Sequence, residues 1–512
     1  MRAARRKMLS RRRGRSVARR LARRDAAERP VPVLSATGIE YEVARRGCAI
    51  GAGGIGLMQR LVRQVGLAAA IDRKVQVLKM HLPYHESDHV LSLAYNILAG
   101  GTCIEDLERW RQDEGFLDAL GADRMPDPTT AGDFCRRFGE PQVRALMEAF
   151  NEARLKVWSR QGDAFFKEAV IDADGTLVAT HGECKEGTDF AYDGTFGYQP
   201  LLISLRNTQE PLFLVNRSGN RPSEEGATAE LDAAIVLCRR AGFRRIRLQG
   251  DTAFSQSEHL DRWDDADVGF LFGWDAAPNL VKEAREQLPI AWSTLRRPAK
   301  YAVATEPRTR PENVKDRIVL EREYATIRTV HEAVTSFAYQ PGKCARPHRM
   351  VVLKKSLEVT KGQRLLNDDV RYFFFITNDW ESTPAEIVLR ANARADQENL
   401  IEQLKNGAKA MRMPVGDRIS NWAYMVMTSL AWTLKAWLAL MLPTAAATSK
   451  QQHDDQHLVL RMEFKRFVAG FIHVPAQIVR TGRRIVFRLL AWNPLQSVFL
   501  RAAEILERPL RC

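Results

Sequence analysis

The stretch between residues 165 and 274 constrains the fold most strongly, because its hydrophobic period changes several times. "FFKEAVIDADGTLVATHG" alternates in polarity, and "YQPLLISLRNTQEPLFLVNRSGN" is typical of two strands around a turn. A helical pattern over 226–242, a strand ending at Asp251, a second helix and the strand "VGFLFGW" follow. Hairpin strands followed by alternating helices and strands predict a mixed sheet with helices packed on it, an α/β core.

Carboxylates stand at two of the predicted strand ends. Asp174 closes the strand in "VIDADGT", and Asp251 closes "IRLQGD". Strand ends are common places for reactive groups, because the loops there open to solvent while the sheet fixes direction. Asp172 points to the same side of its strand as Asp174. We take Asp174, nearer the exposed end, as the candidate ligand and Asp172 as a supporting residue, although each Asp can also simply form a turn.

A third carboxylate lies in "RANARADQENLIEQLKNGAKA", residues 390–410, which we predict to be one helix. At 3.6 residues per turn, Arg394, Glu398 and Lys405 share one face. Glu398 would hold metal, and the two cations would meet phosphate oxygens. The alternative is a solvated face with an i,i+4 ion pair between Arg394 and Glu398. Periodicity alone does not decide between these interpretations.

Bringing three carboxylates together is unfavourable, because like charges repel and raise one another's pKa. A divalent cation reverses that cost, and Mg²⁺ prefers hard oxygen ligands of this kind. Two such ions about 4 Å apart can activate a nucleophile and stabilise the leaving oxygen at phosphorus. We therefore predict that Asp174, Asp251 and Glu398 hold two Mg²⁺ ions, for which Mn²⁺ can substitute.

The net charge of +15 and isoelectric point near 9.6 favour a polyanionic partner, with a merely basic surface as the alternative. Residues 1–30 carry twelve basic residues before the first acid, Asp25. They are predicted to be a disordered arm that stays unfolded until it binds phosphate groups. Residues 31–56 are predicted to be a linker. It ends in "GAGGIG", which lacks the lysine and hydroxyl residue of a P-loop and is interpreted as flexible.

Residues 57–165 have a helical pattern, which suits a DNA-binding helix-turn-helix and a plain helical bundle equally well. Residues 166–274 form the first part of the core, 275–385 a β-rich insertion, 386–445 the last part of the core, and 446–512 a basic C-terminal region. The apolar stretch "NWAYMVMTSLAWTLKAWLALMLP" is interrupted by Lys435, so we interpret it as a buried amphipathic helix and expect no membrane association.

The seven cysteines are scattered and form no CxxC pair, which argues against a disulfide framework and for a reducing compartment. "HGEC", His181 to Cys184, is taken as the only spacing close to that of metal ligands. Without a second pair nearby, it is a weak zinc candidate.

The order "DGT", "GD" at a strand end, a β-rich insertion and R-x3-E-x6-K resembles the DDE-type transposases of bacterial insertion sequences. It is most similar to the branch named transposase DDE domain group 1, which has an RNase H-like core and a Y-R-E-K signature. "RADQENLIEQLKNG" resembles that branch closely, but the position of its tyrosine is Ala391 here. The resemblance covers most of residues 50–495.

The resemblance implies that Asp174, Asp251 and Glu398 are the metal ligands of a DNA transposase. In such enzymes, water frees a 3′-hydroxyl at each transposon end, and that hydroxyl then attacks target DNA. Relatives with the insertion often form a hairpin intermediate. A homodimer bound to both ends in the bacterial cytoplasm, associated with the nucleoid, is expected. The alternatives are a non-catalytic DNA-binding protein derived from a transposase and a metal-dependent DNA nuclease.

Overall fold

The computed structural model describes residues 2–22, 49–81, 83–182, 184–297, 325–361, 364–442, 450–481 and 484–507. Its helices are α1 (Arg2–Ala22), α2 (Ile55–Val65), α3 (Leu67–Lys74), α4 (Glu86–Leu98), α5 (Leu107–Arg111), α6 (Glu114–Leu120), α7 (Pro128–Cys135), α8 (Glu140–Trp158), α9 (Ala227–Ala241), α10 (Ser257–Asp265), α11 (Pro278–Glu286), α12 (Pro384–Asn392), α13 (Ala395–Glu402), α14 (Arg418–Met441), α15 (Lys450–Arg461), α16 (Phe464–Phe467) and α17 (Gln496–Leu506). Its strands are β1 (Ala49–Ile50), β2 (Glu168–Gly175), β3 (Val178–Ala179), β4 (Asp189–Phe190), β5 (Phe196–Tyr198), β6 (Leu201–Leu205), β7 (Glu210–Val215), β8 (Arg245–Gly250), β9 (Val268–Trp274), β10 (Ser293–Thr294), β11 (Ala325–Tyr339), β12 (His348–Lys361), β13 (Arg364–Thr377), β14 (Ala476–Thr481) and β15 (Arg484–Leu489).

The central sheet has the order β10-β11-β12-β13-β9-β8-β2-β6-β7. β2, β6 and β7 are antiparallel neighbours, whereas β8 runs parallel to β2 and β9 runs parallel to β8. The parallel strands need crossovers, and α9 and α10 provide them. Three antiparallel strands followed by two parallel ones form an RNase H-like core, so the predicted α/β fold with a mixed sheet is confirmed.

The long strands of the predicted insertion extend this same sheet. β11, β12 and β13 form an antiparallel meander, and β13 pairs with the end of β9, with Phe374 opposite Trp274. One face of the meander packs on α12 through Val334, Leu353 and Val388. The insertion is therefore joined to the core by backbone hydrogen bonds as well as by side chains. Its predicted limits, 275 and 385, stay predictions.

Helix α14 is the centre of the hydrophobic core. Asp417 caps it by accepting from the amide of Ser420 at 2.8 Å, and nearly the whole helix is buried. It packs against α4, α8 and β7, so the N-terminal helices and the sheet share one core. The predicted buried helix is confirmed, but it is buried on all sides and therefore is not amphipathic. Within the described ranges, no helix is long and apolar enough to cross a membrane.

The basic N-terminal segment is helical over Arg2–Ala22, so the predicted disordered arm is wrong for these residues. Arginine, alanine and leucine favour helix, and the helix also has a docking site. Ser10 donates to the Gln496 side chain at 2.7 Å, and Arg13 donates to the Leu489 carbonyl at 2.6 Å. Residues 23–30 of the predicted arm lie outside the described ranges.

The glycine-rich segment before α2 is a packed joint, so the predicted flexible linker is wrong for residues 49–56. β1 pairs with β14, and the amides of Gly53 and Gly54 donate to Val474 and Ile472 carbonyls at 3.1 Å. A Cβ added at Gly54 would lie 1.7 Å from the Phe471 carbonyl oxygen. Glycine is needed here because the two backbones touch. Residues 31–48 lie outside the described ranges.

Candidate active site

Parallel pairing of β2 with β8 brings Asp174 and Asp251 to the same edge of the sheet. One nitrogen of Arg394, Nη2, lies 3.1 Å from Asp174 Oδ2 and 3.7 Å from Asp251 Oδ2. The two carboxylate oxygens therefore lie within about 7 Å of each other, a separation that a pair of ions about 4 Å apart can span. Asp251 Oδ1 accepts from the amide of Ala253 at 3.0 Å, which leaves Oδ2 facing Arg394.

The segment carrying Arg394 is broken, so the predicted single helix over 390–410 is wrong. Helix α12 ends at Asn392, α13 begins after Arg394, and a π-helix over Gln403–Gly407 follows α13. Gln397 is buried and hydrogen bonds to the Ser204 hydroxyl and to the Leu202 carbonyl, which anchors α13 on β6.

Glu398 lies one helical turn after Arg394, which puts their Cα atoms about 6 Å apart on the same face. Its side chain is exposed, and it has no hydrogen-bond or ion-pair partner among the described residues. Arg394 pairs with the two aspartates, so the alternative of an Arg394–Glu398 ion pair does not hold in this structure. Glu398 therefore has an unpaired carboxylate among the described residues, one helical turn after the arginine that contacts both aspartates.

Lys405, which follows Glu398 in sequence, contacts the residues directly after β2. Its Nζ donates to the Leu177 carbonyl at 2.7 Å and lies 3.4 Å from the Thr176 hydroxyl. Arg394 and Lys405 thus bind the DGT segment at two points, with Glu398 between them in sequence. In this structure Lys405 is a tether for that segment.

The two aspartates of β2 have different surroundings. Burial, reinforced by Asp251, raises the pKa of Asp174 to about 6, against the lowering effect of Arg394. Asp172 is 1% exposed, and both of its oxygens accept from Arg206, at 2.7 Å from Nε and 2.6 Å from Nη2. Asp172 therefore holds the strand in place, while the Asp174 carboxylate at the strand end contacts Arg394.

Sequence reasoning missed the close approach of β9 to the Asp251 loop. A Cβ added at Gly273 would lie 2.9 Å from both the amide nitrogen and the hydroxyl of Thr252. Thr252 follows Asp251 directly, so Gly273 allows the position that Asp251 takes. The glycine in "FLFGW" was the available signal, because glycine inside a strand often marks close backbone approach.

A family model described as transposase DDE domain group 1 matches residues 40–510. The chain belongs to this transposase family. No curated protein matches the chain. Among solved structures, the cryo-EM structure of a piggyBac transposase synaptic complex with hairpin DNA is similar, with a TM-score of 0.32 and 11% sequence identity over 81% of this chain and 86% of that chain.

Members of this transposase family generally use divalent metal, and the residues at the site fit such an ion. The candidate ligands, Asp174, Asp251 and Glu398, offer only carboxylate oxygens, the donors that Mg²⁺ and Mn²⁺ prefer. The position between the two aspartates already attracts a cation, since a guanidinium nitrogen contacts both. The donor set and the charge of the site therefore match a hard divalent cation.

Proposed function

We propose that this transposase binds the terminal inverted repeats of an insertion sequence, cleaves DNA there and joins the 3′-hydroxyl ends to target DNA. Asp174, Asp251 and Glu398 would hold two Mg²⁺ ions. The observation that supports this proposal best is the double contact of Arg394. One guanidinium lies against both aspartates, and Glu398 follows it by one helical turn.

The ions would activate the attacking oxygen and stabilise the leaving oxygen at phosphorus. The protein's own part is to hold the carboxylates at fixed positions. Ala253 orients Asp251, Gln397 fixes the helix that carries Glu398, and Lys405 tethers the segment after Asp174. Arg394, which contacts both aspartates here, would bind a phosphate oxygen of the DNA when the aspartates hold metal instead.

DNA binding is supported by the distribution of charge. Helix α1 has no acidic residue, and its side away from Gly14 and Val17 is exposed and basic. Such a surface neutralises phosphates without reading sequence.

A homodimer follows from the proposed reaction, since two transposon ends must be cut together. The Y-R-E-K assignment of Arg394, Glu398 and Lys405 is part of this proposal.

The test is cleavage of DNA carrying the transposon ends, in Mg²⁺, by wild type and by Glu398→Gln. We expect the variant to lose at least about a thousandfold in cleavage rate and to bind the same DNA normally. Glu402→Gln is the matched control, because Glu402 is exposed on the same helix and its carboxylate contacts Asn406. Equal cleavage by wild type and Glu398→Gln would refute the assignment of Glu398.

Two further outcomes separate the alternatives. DNA binding without any cleavage by wild type would support a non-catalytic DNA-binding protein. Cleavage without joined products, when a target plasmid is supplied, would support a nuclease. Joined products with wild type, and their loss in Asp174→Asn and Asp251→Asn, would support the transposase.

A further inference from the structure

The turn between β11 and β12 docks on α10 of the core. The amide of Ala345 donates to Asp261 Oδ2 at 2.6 Å, and Lys343 forms an ion pair with Glu258. Arg346 Nη2 donates to the Asp261 carbonyl at 3.0 Å and also pairs with the acids at the end of α10. This joint connects the inserted strands to the helix that begins six residues after Asp251.

Three different ligand types meet at this joint. The carboxylate of Asp261, the sulfur of Cys344 and the ring of His348 each place one ligand atom within 4.8 Å of the other two. Cys344 is 6% exposed and His348 is 1% exposed. The His348 Nε2 atom lies 2.8 Å from Asp261 Oδ1, and the Cys344 sulfur lies 3.2 Å from the Ser257 carbonyl. Cys344-x3-His348 has a spacing that metal ligands use, so "HGEC" is not the only such spacing in the sequence.

The donor set indicates the class of ion. Zinc takes sulfur, imidazole nitrogen and carboxylate oxygen at about 2.0–2.3 Å, so ligand atoms in such a site lie about 3.5 Å apart. Small side-chain shifts bring the observed group to that separation. Magnesium, in contrast, avoids thiolate. A thiolate and a carboxylate would neutralise Zn²⁺. Arg346 Nε lies 3.8 Å from Asp261 Oδ1, but its Nη2 pairs more closely with Asp264 and Asp265, which offset its charge.

We infer that Asp261, Cys344 and His348 form a structural site for one zinc-class divalent ion, which fixes the β11–β12 turn to α10. The Ser257 carbonyl or a water completes the tetrahedron. The site is separate from the all-oxygen set of Asp174, Asp251 and Glu398.

The first test is metal content. We expect wild-type protein, purified without chelator, to carry about one zinc per chain, and Cys344→Ser to carry less than about a tenth of that. Cys238→Ser is the matched control, since Cys238 is also buried but lies on α9 away from the joint. It should keep its zinc. Wild type without stoichiometric zinc, or Cys344→Ser with as much zinc as wild type, overturns the inference.

The second test does not depend on whether the variants fold. Wild-type protein stripped of metal and titrated with Co²⁺ should develop the near-ultraviolet thiolate-to-cobalt band at one equivalent. Iodoacetamide should label Cys344 faster after chelation, while the exposed Cys184 is labelled equally in both states. No thiolate band, or chelator-independent labelling of Cys344, would mean that Asp261 and His348 are joined only by a hydrogen bond. Transposition activity enters neither readout, so the inference can fail without affecting the proposed function.

Discussion

Replacing Asp174 by asparagine should stabilise the metal-free protein near neutral pH, although it removes a proposed ligand. Burial raises the pKa of Asp174 from 3.8 to about 6. An acid whose pKa is raised on folding favours the protonated native state, so the free energy of unfolding falls as the pH rises from about 4 to about 6. Two pKa units correspond to about 3 kcal/mol, which is an upper value for the gain in the variant.

Urea denaturation in EDTA measures this difference. We expect Asp174→Asn to be more stable than wild type by about 1–3 kcal/mol at about pH 7.5, and the difference to vanish near pH 4. The amide oxygen still accepts from Arg394, so the guanidinium keeps a partner. Saturating Mg²⁺, at about 100 times the dissociation constant, should stabilise wild type by about 2.7 kcal/mol and leave the variant unchanged.

Asp172→Asn is the matched control, two residues earlier on the same side of β2. Burial raises the pKa of Asp172 as well, but here the carboxylate accepts two hydrogen bonds from Arg206, and an amide would leave this largely buried guanidinium without its counter-charge. Breaking a buried pair in this way costs about 3–5 kcal/mol. If Asp174→Asn is instead less stable than wild type at neutral pH without metal, burial of Asp174 is not the unfavourable term that we infer.

Three further predictions concern Gly273, Lys405 and Lys435. Gly273→Ala places a Cβ 2.9 Å from the Thr252 amide and should displace Asp251. A fall of about 10–100-fold in single-turnover cleavage, with a lowered melting temperature, is expected because the backbone at Thr252 must shift. Lys405→Gln removes the 2.7 Å bond to the Leu177 carbonyl. The same assay should show about a tenfold loss, partly restored by Lys405→Arg. Burial lowers the pKa of Lys435 to about 7, so wild-type stability, followed by urea denaturation, should rise with pH between about 7 and 9. Lys435→Met should be more stable at neutral pH and lack that rise.

The core was predictable because its signals are local and repeated. β2, β6 and β7 have the alternation and turns that a hairpin sheet requires, and α14 has a long apolar stretch. The alternation of helices and strands after β7 predicted a mixed sheet. Asp174 and Asp251 were predicted at strand ends, and the parallel pairing of β2 with β8 brings both to one edge of that sheet.

The partners of the cations were not predictable from spacing. Arg394 and Lys405 have the same helical period whether they face DNA, a neighbouring acid or the DGT segment. The interruption of the helix near Arg394 also has no strong sequence signal. The helix that follows it is held by Gln397, which hydrogen bonds to β6. Similarly, the helical state of α1 and the packed glycines before α2 depend on the C-terminal residues that they contact. Contacts between residues far apart in sequence decided each of these features.

The position of Arg394 explains how Asp174 and Asp251 can lie together at one edge of the sheet. Two aspartates at one sheet edge repel each other, and burial of Asp174 adds to that cost. A guanidinium nitrogen 3.1 Å from one and 3.7 Å from the other offsets part of the repulsion. The hydrogen bonding of Arg394 is nevertheless incomplete, because its Nε is buried without a hydrogen-bond partner in the described structure. Arg394 is thus the counter-ion of both aspartates, and in the proposed function a divalent cation would take its place and free its guanidinium for a phosphate of the DNA.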